Sequence, residues 1–321
     1  MSTRLFVGLD TSNYTTSAAL CDETGAVLCN EKMPLPVADG ERGLRQSDAV
    51  FSHVRALPQA AAALRAALGD ADRTRIVAIG VSGAPRDADG SYMPCFLAGV
   101  AAAETAGALL GVPVYHFSHQ AGHVMAALHS AGEAQLLGRS FAAFHVSGGT
   151  TDVMLVRPDA EHVFAVEKIG GTCDINAGQA IDRVGVRMGL HFPAGAALEQ
   201  LALQNRTKLP PIRISVKDTF CNLSGLENKA VELYESTGDA PLTAAYTLSF
   251  IGSTLRAMRD AVRLRFPELP LLFAGGVMSC SILKRMLAEE NVFFAEAKFS
   301  SDNAAGTALL ARYRLLHPEG E

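Results

Sequence analysis

The sequence predicts an α/β fold made of two similar lobes, and three observations predict it. A three-strand meander with short turns opens the chain, the same pattern returns at mid-chain, and helices alternating with short apolar strands follow each copy. A length of 321 residues accommodates about two domains of roughly 100–200 residues each. With 49% hydrophobic and 19% charged residues, the composition is that of a folded chain and not of a disordered one.

In the first copy, residues 4–9 form an apolar run that ends at Asp10 and reads as a strand. Residues 10–15 are a polar turn, 16–21 a second strand, 22–25 a turn and 27–30 a third strand. A helix over 53–69, a strand over 76–82, a helix over 95–110 and a strand over 113–117 follow. The second copy has strands over 141–146, 151–156 and 162–169, with a tight glycine turn over 147–150 and a turn over 157–159. After it come a helix over 178–189, helices around 226–236 and 242–265, a strand over 270–274, a helix over 279–289 and a strand over 291–295. A last helix runs from about 303 to 315. The segment from about 196 to 230, with Pro210-Pro211, fits this scheme poorly and reads as an insertion or long loop. The expected lobes are residues 1–117, completed by the C-terminal helix over 303–321, and residues 118–302 with the insertion. The two polar turns are expected to face each other across a central cleft.

The formal net charge of −5 does not mark a nucleic-acid binder, so contact with RNA or DNA requires a local basic patch or a partner. The N-terminal apolar run stops at Asp10 and does not read as a signal peptide. The longest apolar stretch, 92–115, holds Glu104, Pro94 and Pro113 and reads as a buried helix and strand, not as a membrane span. Six cysteines without a C-x-x-C pair read as free thiols, and a cytoplasmic location is expected.

Five motifs carry chemistry. Gly8-Leu9-Asp10-Thr11-Ser12 ends a strand in a carboxylate and two hydroxyls, where Asp10 can orient a metal or water and Ser12 can hold a phosphate; an ordinary capped turn has the same composition. Ser147-Gly148-Gly149-Thr150 lets backbone amides approach an anion. Gly275-Gly276, between an apolar strand and a helix, lets the backbone approach a flat ligand such as adenine or its ribose. His119 and His123 share one helical face and can both ligate a metal, which needs a third donor. Asp302 opens the last helix, where it serves either as an N-cap or as a metal ligand.

One glycine turn per lobe resembles the two phosphate-binding hairpins of the actin, Hsp70 and sugar-kinase superfamily, a duplicated RNase H-like fold with a nucleotide in its central cleft. The five motifs together resemble the TsaD-type family that makes N6-threonylcarbamoyladenosine in tRNA, once called O-sialoglycoprotein endopeptidases. The resemblance covers about residues 4–315. The family's G-I-E-T-S-type hairpin looks like Gly8 to Ser12, its H-x-E-G-H like His119 to His123, and its V-S-G-G-H-T like Val146 to Thr151. Its D-D-A-A-G-E-A-F-D-K is similar to Asp174 to Arg183, and its L-G-L-x-Y-P-G-G to the stretch from Gly189 to Gly195. Its F-S-F-S-G-L-K resembles Phe220 to Leu226, its A-G-G-V-x-x-N Ala274 to Cys280, and its T-D-N-G Ser301 to Ala304. The resemblance implies an iron or zinc ion on His119, His123 and Asp302, and ATP or an acyl-adenylate against Ser147, Gly148, Gly149, Thr150, Asp182, Gly195, Gly275, Gly276 and Cys280. Asp182 would hold a ribose hydroxyl.

Several family residues are replaced: Asn13, Tyr14, Thr15 and Thr16 stand for C-D-E-T, Ala121 for Glu, Thr150 for His, Cys280 for Asn, and Ser47 and Phe51 for Glu and Arg, while Ala49 and His53 are kept. The leading expectation is a metal- and nucleotide-dependent transferase that moves threonylcarbamoyl from its adenylate to tRNA adenosine, acting with partner proteins and as a homo- or hetero-dimer with a paralogue. A divergent paralogue with another acyl group or acceptor, or a nucleotide-binding non-catalytic subunit, is the alternative. A zinc peptidase normally carries Glu after the first His of such a pair, and Gln120 stands there.

Overall fold

The computed structural model describes residues 3–12, 14–36, 44–69, 75–160, 162–296 and 304–318. The chain divides into two compact units: residues 1–138, 157–166 and 301–321 form the first, and 139–156 with 167–300 the second.

In the first unit, β1 (Leu5–Ser12), β2 (Thr15–Asp22), β3 (Val27–Pro34), β4 (Ile76–Ala84) and β5 (Val114–Ser118) make one sheet in the order β3-β2-β1-β4-β5. The meander strands pair antiparallel, and β4 and β5 add parallel to β1. The register sets Asp10 opposite Ser17 and Thr11 opposite Thr16, so Asp10 and Ser12 share one face and Thr11 the other. Helices α1 (Gln46–Leu68), α2 (Phe96–Leu110) and α3 (His119–Ala131) belong to this unit, with α9 (Ala305–Leu316). A Cβ on Gly8 would collide with the Ala304 carbonyl, and one on Gly80 with that of Thr307. These two glycines therefore let the start of α9 lie directly on the centre of the sheet. The boundary falls after residue 138, not 117, because α3 packs on α9: a Cβ on Gly306 would run into the Gly122 carbonyl.

The second sheet holds β6 (Phe141–Val146), β7 (Thr151–Asp159), β8 (Val163–Thr172), β11 (Leu271–Ala274) and β12 (Val292–Phe294) in the order β12-β11-β6-β7-β8, and all of it belongs to the second unit except the ends of β7 and β8 within residues 157–166. β6 is antiparallel to β7, and β11 and β12 add parallel on its other side. The strand order matches that of the first sheet, and the directions of β6, β7, β11 and β12 match those of β1, β2, β4 and β5, as duplication predicts. Helices α4 (Ala177–Arg187), α5 (Gly195–Gln204), α6 (Ser224–Thr237), α7 (Ala240–Arg265) and α8 (Ser281–Leu287) belong to this unit. Its core includes Phe144 stacked on Phe273 at 4.4 Å, with Leu248, Ile251, Leu255, Met258 and Val262 of α7.

The segment expected as an insertion or long loop is largely regular. It holds α5 and a hairpin of β9 (Ser215–Lys217) and β10 (Phe220–Asn222), which extends the sheet beyond β8, with β9 at the edge. Residues 157–159, expected as a turn, continue β7. The helix expected over 279–289 is a 3₁₀ turn, Gly276–Ser279, followed by α8. Among the described residues no helix is long and apolar enough to cross a membrane.

Candidate functional site

In the first unit, Ser118 caps α3, its Oγ accepting from the Ala121 amide at 3.0 Å, and this fixes His119 at the first helical position. One turn on, His123 brings its Nε2 to 2.9 Å from His119 Nε2. Asp10, 1% exposed at the end of β1, sets both carboxylate oxygens 3.1 Å from His119 Nδ1. A carboxylate only accepts, so Nδ1 carries the hydrogen and His119 Nε2 presents its lone pair toward His123. In the protein alone the 2.9 Å contact is a hydrogen bond from His123. The same separation suits a shared cation, since two imidazoles bound at about 2.0–2.1 Å and 90–110° lie about 2.9–3.4 Å apart. The geometry of the pair thus fits a metal, with Asp10 orienting one ring from behind. Among the described residues no group of three or more His, Cys, Asp or Glu is placed to hold an ion. Asp302, the expected third ligand, lies outside the described residues. Ala121, where the resembled motif has Glu, is buried.

Around Asp10 the hydroxyls of Ser12 and Ser17 are buried and have no hydrogen-bond partner among the described residues. His53, fully buried on α1, bonds Thr16 Oγ1 through Nδ1 at 2.7 Å, and its Nε2 has no hydrogen-bond partner within the distance and angle of a well-formed bond among the described residues. Burial holds its pKa below the ordinary value, against the opposing pull of the Asp10 charge and the Ser12 backbone. The unfolded chain binds a proton near pH 6.5, whereas the folded one binds it only lower. The stability this residue confers is therefore full above about pH 6.5 and lost as pH falls through the folded pKa. Calorimetry between pH 7.5 and 5.5 should show a falling Tm, corresponding to a loss of unfolding free energy of up to about 1.4 kcal/mol per pH unit for one proton, and the fall should flatten in His53→Asn. An unchanged slope in that variant would remove His53 as the cause.

In the second unit a cavity of about 440 Å³ is lined by Gly148, Asp182, Gly195, Gly276 and Cys280, all expected from the sequence, together with Glu199, Leu248 and Phe192. Ser147, Gly149, Thr150 and Gly275 do not line it. Ser147 braces the turn: its amide donates to the Thr150 carbonyl at 2.7 Å and its Oγ accepts from the Thr150 amide at 3.0 Å. Gly275 has φ of 101°, and a Cβ there would strike the Val146 carbonyl. By contrast a Cβ at Gly148, Gly149 or Gly276 would meet no atom within 4 Å.

The N-terminus of α4 lies against this turn, yet its first amides are spoken for: Ala177 donates to Thr151 Oγ1, Gly178 to the Ser147 carbonyl, and Gln179 to the Asn176 side chain. The Gly148 and Gly149 amides have no acceptor among the described residues and are the donors available to an anion. Asp182 Oδ1 accepts from the Ala194 amide at 2.8 Å. Burial pushes the Cys280 thiol up, so this wall of the cavity is uncharged sulfur. Glu199 escaped the sequence reading because α5 did; it stands one turn beyond Gly195, and its Oε1 accepts from the Ser281 amide at 2.7 Å and hydroxyl at 2.6 Å.

A family model described as TsaD, tRNA N6-adenosine threonylcarbamoyltransferase, matches residues 46–309. A protein of that name from Streptococcus thermophilus is 31% identical over 227 residues, 67% of this chain and 65% of the relative, so that match spans slightly under two thirds of the relative's length. One from Streptococcus suis is 27% identical over 97% of this chain and 92% of its own. Among solved structures, a ROK family glucokinase from Streptomyces griseus in complex with glucose and AMPPNP is similar, with TM-score 0.52, 16% identity and coverage of 96% and 99% of the two chains. So is the activator of the 2-hydroxyisocaproyl-CoA dehydratase from Clostridium difficile with bound ADPNP, with TM-score 0.50, 14% identity and coverage of 98% and 96%. Both share the actin-like, sugar-kinase-like fold expected from the two hairpins.

Proposed function

The chain belongs to the tRNA N6-adenosine threonylcarbamoyltransferase family, and from that membership we propose that it moves a carbamoyl-type acyl group from an adenylate to the exocyclic amine of an adenosine in tRNA. The observation that carries the nucleotide half of this reading is the cavity of the second unit, open at Gly148 with two uncommitted amides. Its volume, about 440 Å³, suits an adenylate-sized ligand. The Gly148 amide at the cavity wall, with the Gly149 amide beside it in the same turn, would bind the phosphate and stabilise its charge as the acyl–oxygen bond breaks. Asp182, fixed by Ala194, keeps its second oxygen for a ribose hydroxyl. The attacking amine forms the new C–N bond, AMP leaves with the bonding pair, and the amine proton passes to water or a nearby base.

His119 and His123, with Asp302 as the expected third donor, would hold the iron or zinc ion that the family resemblance implies. Such an ion supplies Lewis-acid polarisation of an acyl carbonyl. Asp10 keeps the His119 proton on Nδ1, so that Nε2 is the atom that would ligate. Elemental analysis should find one metal per chain in the parent and almost none in the His119→Ala/His123→Ala double variant; Asp10→Asn should bind about 10–100-fold more weakly. Equal metal content in all three would move the site elsewhere.

A second reading, in which acyl group or acceptor differs, is favoured by Ala121, Thr150 and Cys280 in place of the Glu, His and Asn of the resembled motifs. Retention of the histidine pair weighs against a merely non-catalytic subunit. Threonylcarbamoyl transfer to unmodified tRNA, with the usual partner proteins supplied, separates the two. Turnover within about tenfold of a housekeeping member establishes the tRNA reading, since loss of such supporting residues commonly costs about 10–100-fold; activity far below that, with ATP still bound, favours the second.

A further inference from the structure

We propose that the solvent face of the β9–β10 hairpin and the stretch leading into it is a docking surface for a single-stranded segment of RNA, an inference that rests on the reading of tRNA as acceptor. In a chain of net charge −5, residues 205–217 hold Arg206, Lys208, Arg213 and Lys217 and no carboxylate side chain. Ile212, Ile214 and Val216 pack against the core of the second unit, so the alternate residues Arg213, Ser215 and Lys217 face solvent. At about 6.6 Å per two extended residues, the two cations stand about 13 Å apart along one line. The side chains of Lys208, Arg213 and Lys217 are exposed and make no hydrogen bond or ion pair with another described residue. The Arg206 guanidinium donates to the Leu203 and Asn205 carbonyls and forms no ion pair with a described residue.

The register then adds what charge alone does not. Phe220 stands opposite Lys217 and Asn222 opposite Ser215, on the same outward face, while Cys221 and Val216 face the core. Phe220 is 44% exposed. Charges on an edge strand protect it from pairing with another chain, and that accounts for Lys217. It does not account for Phe220, which lies on β10 between β8 and β9 and has no edge to protect. An exposed ring beside a row of cations and an amide is the chemistry that stacks unpaired bases and tracks their phosphates. An acidic protein segment would use the cations and leave the ring without a function.

The test is binding of the full-length protein to an unmodified tRNA transcript across a salt series, with polyglutamate as a competing probe and ATP uptake followed by calorimetry in parallel. Arg213→Gln/Lys217→Gln should weaken RNA binding and flatten the log Kd against log salt slope by about 1.4, two single-strand phosphate contacts. Phe220→Ala should weaken it about 5- to 150-fold at constant salt slope. All three positions are exposed, so Tm and ATP binding should stay at parental values, which separates this surface from the nucleotide cavity. RNA binding unchanged in both variants overturns the surface and leaves the acceptor reading standing. Preference for polyglutamate, or no RNA binding by a parent that binds ATP, also overturns it.

Discussion

Gly306→Ala should lower the Tm of the first unit by about 6–12 °C, the equivalent of about 3 kcal/mol at the upper end of overpacking costs. The reason is backbone against backbone. A Cβ on Gly306 would collide with the Gly122 carbonyl oxygen and lie 2.7 Å from its carbon and 3.0 Å from the Ala126 amide nitrogen. None of these atoms can rotate away, so α9 and α3 must separate. Separation lifts α9 off Gly8 and Gly80 as well, because Ala305, Thr307, Ala308 and Ala311 are buried along the same helix. Gly225→Ala is the control: it too is helical, its Cβ would meet nothing, and its Tm should hold or rise slightly. A Gly306→Ala Tm within about 2 °C of the parent would show that the two helices are not so closely locked.

Gly148→Leu should abolish ATP binding, about 100-fold or more in Kd by calorimetry, with little change in Tm. Open space around the Gly148 Cβ means the side chain has nothing in the protein to clash with, and the space it enters is the cavity. Gly178→Ala gives the opposite signature. Its Cβ would fall 2.7 Å from the Gly148 amide nitrogen and Cα, so it should disturb the turn and the fold together. The two glycines thus separate ligand space from packing space in one small region. Tight ATP binding by Gly148→Leu would place the nucleotide elsewhere.

The meanders and glycine turns were legible because they rest on local signals: alternation in strands, and glycine pairs where the chain reverses. The hairpin of β9 and β10 was not, since strands of three residues after Pro210-Pro211 have no measurable period. Missing α5 hid Glu199 with it. The histidine pair was readable from its i, i+4 spacing, but not its attachment to Asp10, a partner 109 residues away. Nor does spacing tell that Ser147 would brace its own turn or that Gly275 answers the Val146 carbonyl, since both depend on which way each atom faces. The resembled H-x-E-G-H motif also divides in this light. Its histidines meet each other and Asp10, whereas Gly122 lies against Thr307 of α9.

The discontinuity of the first unit bears on how the chain is made. Its sheet, α1, α2 and α3 are complete by residue 138, but α9, which covers Gly8 and Gly80, is synthesised only after the whole second unit has been. A domain ordinarily folds as it leaves the ribosome, N-terminal part first. Here the earlier half emerges with the glycine-lined centre of its sheet uncovered, and the later half reaches its full sequence before the earlier one does. The nascent chain must therefore carry an exposed apolar face through the synthesis of roughly half its length, a natural place for chaperones to act.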